Sequence, residues 1–167
     1  MFEFTTEREK YIWIAAWIDT EGSINLHRQR GAEYSFGFGW RPSISTSISI
    51  GNTNEGVLIT LAYLIGKGNI RLKKRAAALP THKPMYELYI SPNQCRESLP
   101  LIRPFLVLKY RQADLLLEAL EIIRSNVRLT GGSGEVRERN HRLLEENFAK
   151  LENIHQNLTT LNMRGNG

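Results

Sequence analysis

The chain has 167 residues, of which 41% are hydrophobic and 23% charged, and its formal net charge is +5. That length suits one globular domain with a real core, and the composition excludes a disordered or fibrous chain. A single cysteine, Cys95, excludes an intrachain disulfide and a cysteine-based zinc site, as is typical of an intracellular protein. No signal peptide is visible, and the most apolar run, residues 11–18, is too short to cross a bilayer, so we expect a soluble protein without membrane association.

The positive charge is concentrated in one part of the sequence. Residues 25–77 hold eight Lys and Arg side chains against two Glu, a balance of +6, so the rest of the chain sums to −1. A basic stretch of this kind is expected of a protein that binds a polyanion such as nucleic acid. A solvated charged surface is the alternative on charge alone.

The first predicted helix is unusual in its apolar pattern. Thr6 and Glu9 have capping-box spacing and predict that the helix begins there. Residues 11–18 are apolar on every face, so we expect a second element to cover the side that the chain's own core leaves exposed. Ala15 and Ala16 are small enough to let another helix approach closely.

Two strands follow Gly22, since residues 23–27 and 42–50 alternate between polar and apolar. One predicted face is apolar and carries Ile24, Leu26, Ile44, Ile48 and Ile50. The other can form hydrogen bonds and carries Asn25, His27, Ser45, Ser47 and Ser49.

The remaining pattern predicts an α+β fold with the order αββαββα, in which helices lie on one face of an antiparallel sheet. A second helix runs from caps at residues 52–55 to a stop at Gly66, and two strands cover residues 69–75 and 85–90. Helices follow near residues 94–101 and 111–126. We predict a core at residues 1–130, a Gly-rich linker at 131–134 and a C-terminal helical extension at 135–167.

The end of the first helix carries the residues most suggestive of chemistry. Asp19 and Glu21 lie at a helix C-terminus, where the macrodipole disfavours negative charge, and this placement suggests a cation site. The alternative is that both acids only end the helix, with Gly22 supplying a special backbone angle.

Residues 14–22, IAAWIDTEG, resemble the LAGLIDADG motif of homing endonucleases, with Trp17 as the bulkiest departure. The predicted element order is also that of the family, whose antiparallel sheet forms a saddle. The resemblance implies that the motif helix forms the interface between two copies, with Ala15, Ala16 and Asp19 as interface residues. It also implies that Glu21 is the metal-binding catalytic acid and that Asp19 is mainly structural.

A second segment, residues 103–113, is similar to the family sequence before the last core helix. The resemblance implies that Lys109 lies near the scissile phosphates, where a cation offsets developing charge. An ordinary helix-start lysine is the alternative. Asn52 falls near the position where relatives hold a metal-bound water, and it is equally explicable as a helix cap.

The sequence therefore predicts a homodimeric endonuclease that cleaves both strands of a long pseudo-palindromic DNA site, as in intron homing, by Mg²⁺-dependent phosphodiester hydrolysis. The polar faces of the strands should enter the major groove. The candidate DNA contacts are Asn25, His27, Gln29, Ser45, Ser47, Ser49, Arg71, Lys73, Glu87 and Tyr89.

Two other functions remain open from the sequence. One is an RNA-splicing maturase or DNA-binding regulator of the same fold that does not cleave; the carboxylate at Glu21 argues for cleavage. The other is an assembly protein that uses the apolar helix only to dimerise, and the basic strand region argues against it.

Overall fold

A computed structural model of the chain describes residues 4–35, 40–66, 68–73, 83–129 and 133–164, with side chains except those of 28–35, 40–43, 127, 128 and 164. The elements are α1 (Glu7–Glu21), β1 (Gly22–Ser35), β2 (Trp40–Asn52), α2 (Glu55–Ile65), β3 (Asn69–Leu72), β4 (Tyr86–Ile90), α3 (Pro92–Ile102), a 3₁₀ turn (Arg103–Phe105), α4 (Tyr110–Arg128) and α5 (Gly134–Arg164). The predicted α+β fold and its αββαββα order are confirmed.

The strands form one sheet in the order β1-β2-β4-β3. Strand β4 pairs antiparallel with β2, where Ser49 lies opposite Tyr89, and with β3, where Arg71 lies opposite Glu87. Because successive side chains alternate between faces, this register places Ile50, Leu88 and Ile70 in one row on the apolar face. Helix α2 contacts β3 and β4 on that face, where a Cβ added to Gly68 would meet both Leu88 and Ala62.

The backbone contacts divide the chain into two compact units, the first of which contains Met1–Ile24 and Ser47–Ala113. Its core lies between the apolar sheet face and helices α1, α2 and α3, and buries Ile14, Ile18, Ile48, Ile50, Leu58, Leu61, Leu88, Ile90, Cys95, Leu99 and Ile102. Burial raises the pKa of the Cys95 thiol to about 12, so this cysteine stays protonated and is a core side chain.

The second unit contains Asn25–Thr46 and Asp114–Gly167, and therefore most of α4 and all of α5. Its buried side chains recur at helical spacing, with Leu116, Ala119 and Leu120 on α4 and Leu151, Ile154 and Leu158 on α5. The Asn147 amide on α5 donates to Ser125 Oγ and to Asn126 Oδ1 on α4. Gly131 and Gly132 of the predicted linker lie outside the described residues, so the proposed domain limits stay a prediction.

No helix among the described residues is long and apolar enough to span a membrane.

Candidate functional site

Helix α1 buries one face and exposes the other. The Thr6 hydroxyl accepts from the Glu9 N–H at 3.2 Å, and the Glu9 carboxylate accepts from the Thr6 N–H at 3.2 Å, which completes the predicted capping box. Ile14, Ala15 and Ile18 are buried within the chain, whereas Ala16 is exposed and Ile12 keeps 45% of its surface. The Ala15 side chain therefore belongs to the core of its own chain, and the exposed small residue on α1 is Ala16.

Trp17, the residue that departs most from the LAGLIDADG pattern, has an aromatic neighbour. Its ring meets Trp13 edge-on at a centroid distance of 5.9 Å, and Trp13 in turn lies 5.8 Å from Phe4. Such edge-to-face pairs stabilise beyond their buried area. The bulky side chain is thus accommodated along one side of α1.

Asp19 anchors the end of α1 to the segment before α4. Its Oδ2 accepts a hydrogen bond from the Val107 N–H at 2.7 Å, and its Oδ1 accepts one from the Lys109 N–H at 2.8 Å. Both carboxylate oxygens are thus engaged by backbone donors, in short charge-assisted bonds. Asp19 acts as a structural tether for residues 107–109.

Lys109 contacts the same helix end through its side chain. Its Nζ donates to the Ile18 carbonyl at 2.9 Å and to the Asp19 carbonyl at 2.5 Å. Helix α1 has no basic residue of its own in its last turn, so Lys109 supplies the cation that the C-terminal carbonyls favour. Burial lowers the pKa of Lys109 below its ordinary value, and the charges of Asp19 and Glu21 act in the opposite direction.

Position 22 requires glycine because the backbone of Ile18 lies too close for a side chain, not because the backbone angle is unusual. Its φ of −82° is open to any residue, which corrects the alternative in which a special angle ends the helix. A Cβ at this position would lie 2.6 Å from the Ile18 carbonyl oxygen and 2.8 Å from the Ile18 Cα. The absence of a side chain lets the Gly22 N–H donate to Ile18 O and lets the chain pass directly from α1 into β1.

Glu21 is the last residue of α1, and its side chain is exposed. Among the described residues no hydrogen bond or ion pair to its carboxylate is found, so the two acids of the motif differ: Asp19 is engaged by backbone groups, and Glu21 is open to a ligand. The charge of Glu21 favours the protonated form of Lys109 and so acts against the effect of burial on the pKa of that lysine.

Asn52 is the last residue of β2 and lies opposite Tyr86 of β4. Its side-chain oxygen accepts from the Asn54 N–H at 2.8 Å, and Asn54 caps α2 by accepting from the Gly56 N–H at 3.0 Å. Asn52 therefore forms a local turn that leads into the helix cap. Among the described residues no hydrogen bond joins it to Glu21 or Lys109.

The candidate DNA-contacting residues differ in exposure. His27 is exposed, Asn25, Ser45, Ser49 and Tyr89 are half-buried, and Ser47 is buried at 1% exposure, as is its neighbour Thr46 at 0%. Ser47 is thus too enclosed for direct contact with a ligand. The side chain of Gln29 lies outside the described residues, as do the side chains of Arg28, Arg30 and Arg41 from the basic stretch.

Arg71, Lys73 and Glu87 come together on the polar face. Arg71 and Lys73 are exposed, whereas Glu87 is only 7% exposed and forms ion pairs with both. The sequence predicted these residues as separate base contacts and missed their pairing. The pairing depends on the cross-strand register, which places Arg71 opposite Glu87. The spacing of residues in the sequence does not contain this register.

A further feature missed from the sequence is the apolar segment beside Asp19. Val107 and Leu108 keep 75% and 68% of their surface. Residues 105–108 are four consecutive apolar residues, which cannot all point into one core. The sequence therefore contained a signal that some of them are exposed. The Val107 N–H bond to Asp19 places these exposed side chains next to the end of α1.

The fold occurs in solved structures of homing endonucleases. I-CvuI, in complex with its target in the presence of Ca, aligns with a TM-score of 0.61 at 20% sequence identity, covering 93% of this chain and 96% of that one. I-Vdi141I, an archaeal intron-encoded homing endonuclease complexed with DNA, aligns at 0.59 and 18%, covering 95% and 99%. I-TnaI aligns at 0.58 and 18%, covering 93% and 97%.

No protein-family model matches the sequence, and no curated protein matches it. The structural likeness shows that this chain has the homing endonuclease fold, as its resemblance to the LAGLIDADG motif predicts.

Proposed function

We propose that the protein is a site-specific endonuclease that cleaves both strands of a long pseudo-palindromic DNA site by metal-dependent phosphodiester hydrolysis. The observation that carries this proposal is the end of α1, where Asp19 and Lys109 fix the helix terminus and Glu21 projects an exposed carboxylate. A carboxylate at the C-terminal end of a helix is unfavourable for stability, because the helix dipole is negative at that end. A cation bound at the end of α1 would explain why Glu21 lies there.

The proposed metal is a magnesium ion, to which the end of α1 would supply one carboxylate; among the described residues no group of three or more His, Cys, Asp or Glu side chains could hold a metal by itself. Mg²⁺ prefers oxygen ligands and is bound by one or two carboxylates, with water and substrate phosphates as the other ligands. Glu21 is the available carboxylate, because both oxygens of Asp19 already accept backbone hydrogen bonds. The ion would activate a water molecule and stabilise the leaving 3′-oxygen.

Lys109 has a defined part in this proposal. Two of its three ammonium donors are used on the carbonyls of Ile18 and Asp19, which leaves one donor for a phosphate oxygen. Its carbonyl contacts hold the ammonium group at the end of α1, the helix whose last residue is Glu21, and there a positive charge would offset charge that develops on phosphorus. Glu21 and Lys109 would thus bind and orient the phosphodiester from one side.

The polar sheet face is the proposed DNA surface. In the first compact unit Arg71 and Lys73 are exposed cations, and Ser49 and Tyr89 are partly accessible. In the second unit His27 is exposed, and Asn25 and Ser45 are partly accessible. A β-ribbon fits the major groove, where alternate side chains reach base edges. That I-Vdi141I is intron-encoded and is complexed with DNA supports the same use of this fold here.

The site needs a second copy of the chain. The exposed face of α1 carries Ile12 and Ala16, and the exposed Val107 and Leu108 lie next to its end. Apolar side chains that stay exposed on one face of a helix favour association with another apolar surface. We propose a homodimer in which two such helices face each other, so that each chain supplies one Glu21 and one half-site contact.

The test is cleavage of a plasmid that carries the uninterrupted insertion site. Linear product should form with Mg²⁺ and not with EDTA, and Glu21→Gln should abolish it while DNA binding persists. Glu97→Gln, which removes the same charge from an exposed position on α3, is the matched control and should cleave as the wild type does. Binding without cleavage in any divalent metal would instead identify a regulator or maturase, and cleavage by Glu21→Gln would refute the metal assignment.

A further inference from the structure

Glu87 lies between two basic side chains on the polar face of the sheet. Its Oε2 accepts from Arg71 Nε at 2.9 Å and from Arg71 Nη2 at 2.6 Å, and its Oε1 lies 3.3 Å from Lys73 Nζ. The Glu87 side chain is 10% exposed, whereas the side chains of Arg71 and Lys73 are 65% and 50% exposed. The acid is therefore covered by the two bases that it binds.

The other side of Glu87 is closed as well. Gly51 of β2 lies directly opposite Glu87, and the terminal methyl group of Met85 occupies the space above Gly51, 2.7 Å from where a Cβ would be. A base edge that approaches the sheet would thus meet Arg71 and Lys73 before it could reach the carboxylate. Direct contact with DNA, the role that the sequence predicted for Glu87, does not suit this position.

The carboxylate is held in its charged form. Burial, the largest single effect, raises the pKa of Glu87, but the hydrogen bonds and the positive charges of Arg71 and Lys73 together outweigh it and hold the pKa below its ordinary value. The cluster thus carries one negative and two positive charges, and its net charge of +1 still favours a phosphate or a guanine edge.

Arg71 is fixed on two sides of its guanidinium group. Glu87 binds the edge formed by Nε and Nη2, and the ring of Tyr89 lies 5.6 Å from the guanidinium carbon. A guanidinium has five N–H donors, so the outer fork of Nη1 and Nη2 remains for a ligand. That fork matches the O6 and N7 acceptors of guanine in the major groove.

We propose that Glu87 is a positioning residue, which holds Arg71 against Tyr89 so that its outer fork reads one guanine in each half-site. The inference rests on the proposed DNA-binding function. Lys73 takes a different part: as a flexible point charge it contacts the phosphate backbone and contributes affinity without sequence preference.

The experiment is selection of bound duplexes from a DNA pool with a randomised segment, in buffer with EDTA so that no strand is cut. Wild type, Glu87→Gln, Glu87→Asp, Arg71→Lys and Lys73→Ala are compared as full chains, with thermal unfolding recorded for each. For Glu87→Gln and Arg71→Lys we expect about a ten-fold or greater loss of preference for guanine at one position per half-site. Glu87→Asp should restore part of that preference.

The salt dependence of binding separates positioning from simple loss of structure. Glu87→Gln removes a negative charge, so its binding to non-specific duplex at low salt should equal or exceed that of the wild type even though its preference falls. Lys73→Ala should keep the guanine preference and lower the slope of log K against log salt by about 0.9 for each phosphate that the variant no longer neutralises.

The outcomes distinguish this inference from the proposed function. A wild type that selects a sequence together with a Glu87→Gln variant that selects it equally well overturns the role of Glu87 alone. A wild type that enriches no sequence from the pool overturns the proposed function and the positioning role with it. A weaker preference in Glu87→Gln accompanied by weaker non-specific binding would show general structural damage and would also overturn the role.

Discussion

Asp19 and Lys109 hold each other reciprocally. The carboxylate of Asp19 accepts the backbone N–H of Lys109 at 2.8 Å, and the ammonium of Lys109 donates to the backbone carbonyl of Asp19 at 2.5 Å. The two residues are 90 positions apart in the sequence, yet each satisfies a backbone group of the other. The terminus of α1, which ends in Glu21, is therefore fixed in place before any ligand arrives.

The first prediction concerns the acceptor side of this contact. Asp19→Asn keeps the shape of the side chain but replaces one acceptor oxygen by an NH₂ group, which cannot accept from Val107 or Lys109. We expect the free energy of unfolding to fall by about 1–3 kcal/mol, because a backbone donor loses its charged partner. Urea unfolding measures this loss. Glu97→Gln should change it by less than about 0.5 kcal/mol, and equal stability of the two variants would contradict the tether.

Glu21→Gln should affect stability far less than Asp19→Asn does. Its side chain is exposed at the C-terminus of α1, so removing the charge relieves an unfavourable interaction with the helix dipole. The same change removes the attraction between Glu21 and the ammonium group of Lys109, so the free energy of unfolding should change by no more than a few tenths of a kcal/mol, in a variant that we expect not to cleave DNA. A loss of stability comparable to that of Asp19→Asn would mean that Glu21 is a structural residue instead.

Much of the fold was predictable because local signals agree. Three local signals agree with the elements of the structure. They are the capping box at Thr6, the alternation around Ile48 and Ile50, and Gly66, which has a left-handed backbone conformation after α2. The start of β3 at Asn69 agrees with the prediction, but its end does not: the prediction extended the strand to residue 75, and the strand ends at Leu72. A run of basic residues carries no alternation, so nothing in it marks the end of a strand.

The candidate site was predictable by residue type but not by contact. The position of Glu21 and Lys109 follows from the motif, whereas the Lys109 contact with the α1 carbonyls depends on how distant segments meet. Likewise the sequence places Arg71, Lys73 and Glu87 on one face by parity, but only the pairing of β3 with β4 shows that both bases form ion pairs with Glu87. Alternation along a strand determines on which face of the sheet a side chain lies, whereas the pairing of neighbouring strands determines which side chains lie next to it.

Gly22 provides a third prediction, on sterics at the helix end. Gly22→Ala places a methyl group 2.6 Å from the Ile18 carbonyl oxygen, and backbone atoms cannot yield as a flexible side chain does. The free energy of unfolding should fall by about 1–3 kcal/mol or more, measured by urea unfolding.

Gly66 is the matched control, since its φ is +87° and an added Cβ there meets nothing within 4 Å. Gly66→Ala should cost about 1 kcal/mol through backbone strain alone, and Gly66→Asn should cost less because asparagine tolerates this conformation. Asparagine should give no such relief at Gly22. If Gly22→Ala unfolds at the wild-type urea concentration, the close approach is not real.

The ion pairs of Glu87 predict a dependence of stability on pH. The folded pKa of Glu87 lies below its ordinary value of 4.5, so the unfolded chain binds more protons between the two values. The contribution of Glu87 is therefore fully present above pH 4.5 and is lost as the pH falls through the folded pKa. The difference in melting temperature between wild type and Glu87→Gln should shrink with acidification below pH 4.5. A difference that is constant over this range would show that the charge of Glu87 does not matter to folding.

The last prediction tests the proposed association of two chains through α1. Ala16 is small and exposed, and Ile12 lies one turn before it on the same side. Ala16→Arg puts a long charged side chain where a facing helix would need a close approach, and an unpaired charge in such an interface is costly. Sedimentation velocity should show a shift from dimer to monomer, with loss of cleavage because each chain holds half of the site.

Ala149→Arg, at an exposed alanine within α5, makes the same change on another helix and should remain dimeric. If Ala16→Arg sediments as a dimer and still cleaves, the two copies meet through a different surface, and the exposed face of α1 needs another explanation.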